Sequence, residues 1–282
     1  VWVGTGEANP RNSVSWGDGV YKSTDGGETW KNMGLSKGFQ TGRIAIHPEN
    51  PEIVYVGVLG RLWGPNEERG LYKTTDGGEN WEDVINLTDT LGNAAVKPVV
   101  VVAPGATDDV HVVYQSVNGG VRDIRVQSST DSGATFTAPS SRLDGGEDAF
   151  HHHAAVSADG TTLAVVWEEL DTGNLDRNII TRVSTDSGSS FEAQRTVNVG
   201  SGASPIAGRP QVGITSTGRF VYTWREVRAG VTSDIFATFS DSATTAFDAG
   251  DEVRLDGDVS DEVDADFPLM KVADEAVYVV WQ

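Results

Sequence analysis

The stretch Ser129-Thr-Asp-Ser-Gly-Ala-Thr-Phe136 decides the fold, because the chain writes it repeatedly. It stands upstream as Ser23-Thr-Asp-Gly-Gly-Glu-Thr-Trp30 and Thr74-Thr-Asp-Gly-Gly-Glu-Asn-Trp81, and downstream as Ser184-Thr-Asp-Ser-Gly-Ser-Ser-Phe191. A worn fifth copy surrounds Asp241, with Ala243 in place of Gly and Phe247 one position late. The aspartates Asp25, Asp76, Asp131, Asp186 and Asp241 are 51, 55, 55 and 55 residues apart. A period of that size, with several short Val/Ile/Trp runs between turn signals in each unit, predicts an all-β chain. The expected architecture is a β-propeller of four-stranded antiparallel blades, the motif forming the hairpin between strands c and d.

The motif has a local physical reason. A tight hairpin turn leaves backbone N–H groups unpaired, and an Asp carboxylate accepts them as in an Asx-turn. Glycine supplies the positive φ, and the terminal Trp or Phe is expected to pack under the turn. Asp25, Asp76, Asp131, Asp186 and Asp241, with Trp30, Trp81, Phe136 and Phe191, are therefore read as structural. The competing reading, catalytic or calcium-binding carboxylates, sits poorly with an acid recurring once per repeat.

Composition narrows the function classes. The chain has 282 residues, 38% hydrophobic, enough for one repeat domain. With 41 acidic against 21 basic residues its formal charge is −20, and Lys (6) is scarce beside Asp (25). Phosphate backbones want a basic face, so nucleic acid is excluded as an expected partner. There is no cysteine, hence no disulfide framework and no Cys metal site. No apolar run approaches membrane-spanning length. Val1 already begins a strand with no signal peptide before it, so the chain reads as the interior of a longer secreted, periplasmic or cell-surface precursor.

Each period reads as four strands, a to d from the channel outward. Strand a covers Arg43–Ile46, Pro98–Val102, Ala154–Val156, Pro210–Ile214 and Pro268–Val272. Strand b covers Ile53–Val58, Val110–Tyr114, Leu163–Trp167, Phe220–Trp224 and Ala276–Trp281. No helix is expected. Val1–Gly4 resembles a further strand b, so strand b is supplied twice at the ends. Five motifs and about 56 residues per blade favour five blades, with Pro268–Val272 completing the N-terminal blade and the C-terminal strand b displacing Val1–Gly4. Six blades is the alternative. A monomer is expected, a strand-swapped oligomer being the variant.

The repeated motif resembles the Asp-box (BNR) repeat of sialidases, sortilin-type receptors and xyloglucanase-like propellers. The resemblance covers nearly the whole chain as a fold. Two dialects are visible. Residues 1–86, with Asp-Gly-Gly and Trp, look like the xyloglucanase- or sortilin-like blades, as do Gly4-Thr-Gly-Glu-Ala-Asn-Pro10 and Leu62-Trp-Gly-Pro-Asn-Glu-Glu-Arg69. Residues 93–282, with Asp-Ser-Gly and Phe, look like sialidase-like blades, with a seam at 87–95. Natural divergence between blades and an engineered or recombined hybrid without natural function are both open.

Propeller ligands usually bind where strand a starts and strand b ends. Aligning the repeats puts Thr41, Lys97, His151, Arg209 and Phe267 at one position before strand a. Strand b ends in Gln115, Glu168–Glu169, Arg225–Glu226 and Gln282 on the same face. The expected binding residues are Lys97, His151, Arg209, Glu168, Arg225 and Glu226, for a glycan or protein ligand carrying an anionic group, or else a solvated rim without ligand. His151-His-His153 invites a metal reading, but strand neighbours point to opposite faces and no carboxylate completes a set, so no metal and no cofactor is expected. Trp167, Trp224 and Trp281, with Tyr114, are either a sugar platform or core between blades. The sialidase resemblance implies an arginine triad and a Tyr/Glu pair. Gly42-Arg-Ile-Ala45 and Gly208-Arg-Pro210 echo it only in part, and Tyr222 lies mid-strand without an evident partner. No catalytic residue is assigned. The function expected is a non-catalytic binding or structural scaffold, with carbohydrate as the candidate ligand; the alternative is a sialidase-like exo-glycosidase with a diverged site.

Overall fold

The computed structural model describes residues 1–7, 14–61, 66–87, 94–103, 108–137, 141–200, 206–228, 232–257 and 264–282. Among these the chain is all strands and turns, with two single-turn 3₁₀ segments, Ser36–Gly38 and Ala249–Asp251. The proposed seam at 87–95, and parts of the 4–10 and 62–69 stretches, lie outside the described residues.

Six units follow one another. The first has β1 (Trp2–Gly4), β2 (Val20–Lys22) and β3 (Lys31–Asn32). The second has β4 (Thr41–Ile46), β5 (Val54–Val58) and β6 (Gly70–Thr74), with Ile85 bridging back to Leu71. Full four-stranded units follow as β7 (Ala94–Ala103), β8 (Asp109–Asn118), β9 (Val121–Ser129) and β10 (Ser141–Arg142), then as β11 (Asp148–Val156), β12 (Leu163–Leu170), β13 (Arg177–Ser184) and β14 (Arg195–Thr196). The fifth is β15 (Ile206–Ile214), β16 (Phe220–Val227), β17 (Asp234–Ser240) and β18 (Val253–Arg254), and the last described pair is β19 (Leu269–Ala273) with β20 (Ala276–Val280). Every blade ladder is antiparallel; a single parallel bridge, Arg177 to Ile206, joins the fourth and fifth sheets. The first strands β4, β7, β11, β15 and β19 neighbour one another in succession, as the inner strands of a propeller do.

The core lies between blades. Val99, Val113 and Ile124 of the third unit pack with Leu163, Val165 and Trp167 of the fourth. The fourth meets the fifth through Val166, Ile179, Tyr222 and Trp224. Trp167 and Trp224 are fully buried, so these two are core and not a sugar platform. Truncating either to Ala should cost about 3–5 kcal/mol.

Closure differs from the five-blade expectation. β19 pairs with β20 alone, and β1 pairs with β2, so the two copies of strand b sit in separate sheets and do not compete for one edge. The cause is local. The Asp274–Glu275 turn is tied to the β15–β16 turn, Ser216 N–H donating to the Asp274 carbonyl and Thr217 N–H to the Glu275 carboxylate. That tether docks the last hairpin beside the fifth unit as the start of another blade.

Candidate functional site

The two faces of the propeller treat their recurring residues differently. On the far face, each intact motif is closed by its own side chains. Asp131 Oδ1 accepts the Thr135 N–H at 2.8 Å, and the Ser129 hydroxyl donates to Asp131 while accepting Gly133 N–H at 2.8 Å. The same pattern holds around Asp25, Asp76 and Asp186. The bonds from Thr135, Asn80 and Ser190 hold Asp131, Asp76 and Asp186 down to about 2, and Thr29 holds Asp25 lower still. Trp30 departs from expectation: it is exposed, and its indole N–H donates to the Gly27 carbonyl instead of packing under the turn. The fifth copy departs further. Asp241 bonds Arg219 at 2.6 Å, and Ser242 accepts the Thr244 and Thr245 N–H groups that the aspartate would have taken. Asp241 is therefore not a turn staple.

At the opposite face the inner strands are bulged. Register slips between Val96 and Val99, between Phe150 and His153, and between Gly208 and Gln211. Each slip sets two residues (Lys97-Pro98, His151-His152, Arg209-Pro210) against one aromatic, Tyr114, Trp167 or Trp224. Asp266 and Gln282 exchange backbone bonds while Leu269 pairs with Val280, which sets Phe267-Pro268 against Trp281 in the same way. Proline fits the second bulge position because no ladder N–H is needed there. The first position is left-handed in all four blades: φ is +54° at Lys97, +42° at His151, +53° at Arg209 and +52° at Phe267. A non-glycine residue held there costs roughly 1–3 kcal/mol. Thr41, aligned with these four in sequence, is buried and does not share the strain.

The bulges aim these four residues into one cavity of about 370 Å³, also lined by Arg43 and Gln211. Its lining holds no carboxylate. Glu168 lies just outside that lining, buried to 2% exposure, and takes His151 Nδ1 at 2.8 Å and Arg177 at 2.6 Å. Burial pushes its carboxyl up, but the His151 and Arg177 bonds outweigh this and hold it below the usual glutamate range. Arg209 pairs with Asp266 at 3.0 Å and stacks 3.7 Å from the Phe267 ring centroid. Lys97 and Arg43 have no ion pair among the described residues. Burial, together with Arg122 and Arg209 nearby, outweighs the opposing pull of Glu168 and holds the Lys97 ammonium below the usual lysine range.

The other expected residues go elsewhere. Arg225 faces Asp266 at 3.6 Å and does not line the cavity. Glu226 is fully buried beside the core, accepting from the Trp224 indole, Arg228 and Asn198, so it is removed from the mouth. Glu169 likewise accepts from the Trp167 indole, and Gln115 donates to the Ala149 carbonyl. Tyr222 is buried against Thr181. The histidine run is split by its bulge. His152 turns inward toward the Val113 carbonyl and burial drops it to about 3, while His153 faces Val212 N–H and is brought to about 4 by burial and Arg43. Among the described residues, no three metal-ligating side chains converge. Arg43 and Asp266 are missing from the sequence-derived set. Arg43 was visible in the Gly42-Arg-Ile-Ala45 echo of the arginine motif but was not carried into the binding set, and Asp266 follows a run with no strand signal.

The fold resembles several solved propellers. The alpha-L-arabinanase of Penicillium chrysogenum, complexed with arabinobiose, superposes with a TM-score of 0.58 at 15% identity, over 85% of this chain and 74% of that one. The endo-arabinase of Bacteroides thetaiotaomicron VPI-5482 gives 0.52 at 13%, over 84% and 87%. A protein of unknown function from Dyadobacter fermentans DSM 18053 gives 0.52 at 12%, over 84% and 73%. These likenesses show the propeller fold. No protein-family model matches the chain, and no curated protein does. No helix among the described residues is long and apolar enough to cross a membrane.

Proposed function

We propose that this propeller engages a glycan at the mouth of its channel. The observation that carries the reading is the cavity itself: four successive inner strands accept a strained bulge in order to present different polar or aromatic side chains to one space. Two of the fold's relatives, both arabinanases, act on carbohydrate, which supports a sugar as the ligand. A secreted or cell-surface location goes with this reading.

The groups at the mouth suit binding better than cleavage. Glycoside hydrolysis most often uses two carboxyl groups flanking the bond, one of them a proton donor with a raised pKa, and the Tyr of a sialidase-type pair is not at this mouth, Tyr222 being buried. Glu168 is held ionised by its bonds to Arg177 and His151, and Asp266 is bound to Arg209. A second reading, an exo-glycosidase, is favoured by the arabinanase relatives and by Glu168, whose ionised carboxylate beside the cavity would serve as nucleophile. The deciding experiment is titration with a panel of neutral and acidic oligosaccharides, with reducing ends assayed in parallel. Saturable binding without new reducing ends is expected. Turnover that disappears in Glu168→Gln would replace the binding reading with the hydrolytic one, and failure of every sugar to bind would end both.

A further inference from the structure

We infer that the glycan bound at the mouth is an acidic one, its anionic group seated between Lys97 and Arg43; the inference rests on the binding reading above. The argument is an inventory of charge. The chain carries 41 acidic residues, yet the cavity lining contains none of them; besides His152, which burial keeps neutral, it holds four basic residues. Two of the four are already answered by protein carboxylates, His151 by Glu168 and Arg209 by Asp266. Arg122 and Arg177, set around Phe150 behind the rim, are answered too, by Asp148 and Glu168. Lys97 and Arg43 are left without an ion pair among the described residues.

The Lys97 residue is the telling one. Its backbone is strained, its side chain is half-buried, and Arg122 and Arg209 stand close enough to oppose its charge. Glu168 is close enough to offset part of that charge, but it is bonded to His151 and Arg177, so a ligand anion in the cavity would complete the balance. Arg43, exposed on the neighbouring inner strand, offers a planar fork that matches a carboxylate or sulfate. Phe267 gives the same cavity an apolar wall for a sugar ring. A sugar bearing a carboxylate or a sulfate meets all three.

The test uses three matched probes: a uronic-acid trisaccharide, the same trisaccharide with its carboxyls reduced to alcohols, and a sulfated form of that neutral product. Titration calorimetry of the intact chain should show both anionic probes binding at least about tenfold tighter than the neutral one. The tighter of the two identifies the anion. Lys97→Met and Arg43→Gln should each remove most of that preference, bringing the anionic probes down toward the affinity of the neutral one. Arg43→Gln alters an exposed side chain, so it keeps the test open if Lys97→Met folds poorly, and Asp131→Ala on the far face should leave the preference intact. Equal binding of all three probes, or a preference untouched by both variants, would overturn the inference while the binding reading stands. Binding of none would overturn both.

Discussion

The far face and the mouth each repeat one position per blade, and they fill it in opposite ways. On the far face the position holds the same aspartate in four intact copies, its hydrogen-bond partners supplied by its own turn. At the mouth the equivalent position holds Lys97, His151, Arg209 and Phe267, each in a strained left-handed conformation and each with different partners. A requirement of the fold is the same in every blade and selects one residue. A ligand has no such symmetry, so a binding site shows itself as a repeat position whose residues differ. The fifth motif copy fits the same logic: where Asp241 is diverted to Arg219, a neighbouring serine takes over the turn.

The comparison breaks most sharply at Gly188. A side chain there would come within 2.3 Å of the Ser128 hydroxyl and 3.0 Å of His111, at a φ of +77°. Gly188→Val should destabilise the protein by about 3 kcal/mol or more in a denaturant titration, while any folded fraction keeps its glycan affinity. Reduced affinity per folded molecule would show that the two faces are coupled.

Ser184→Ala should come next. The fully buried hydroxyl accepts the Gly188 N–H at 2.9 Å, and removing it strands that donor. A loss of roughly 1–3 kcal/mol is expected. An unchanged unfolding midpoint would mean that the motif closes its turn without this bond.

Acid should act on the far face first. Asp76, Asp131 and Asp186 sit near 2 in the folded protein, against 3.8 for a free aspartate side chain. Their folded pKa is depressed, so their stabilisation is complete above about pH 4 and is lost as pH falls from there toward 2. Asp131→Asn should lower the melting temperature at pH 7, where the carboxylate's contribution is complete, and flatten the further fall across that window. An equally steep fall in the variant would place the acid sensitivity elsewhere.

Much of this was legible in the sequence. The motif period set the propeller and the strand order, and position counting alone put Lys97, His151 and Arg209 at one mouth. The inner strands, however, begin earlier than their apolar runs, at Ala94, Asp148 and Ile206, because a left-handed residue followed by proline reads as a turn when it is a bulge. Glu226 was misplaced by that same bulge: strand b carries no extra residue, so its side chains keep their alternation and Glu226 falls on the buried side with the Trp224 indole. Closure was not legible, because pairing of the last hairpin depends on the tether from Glu275 to Thr217, 58 residues away in the chain.

The central claim is that the fold does not need the mouth residues where they stand. The direct measurement is equilibrium unfolding of Lys97→Gly beside Lys97→Ala. In an ordinary strand, glycine is the less stable of the two by roughly 0.5–1 kcal/mol. At φ +54° the order should invert, with Lys97→Gly at least as stable as Lys97→Ala and close to the parent protein. The ordinary order, with both variants well below the parent, would contradict the account, because it would make Lys97 a structural residue in an unstrained strand.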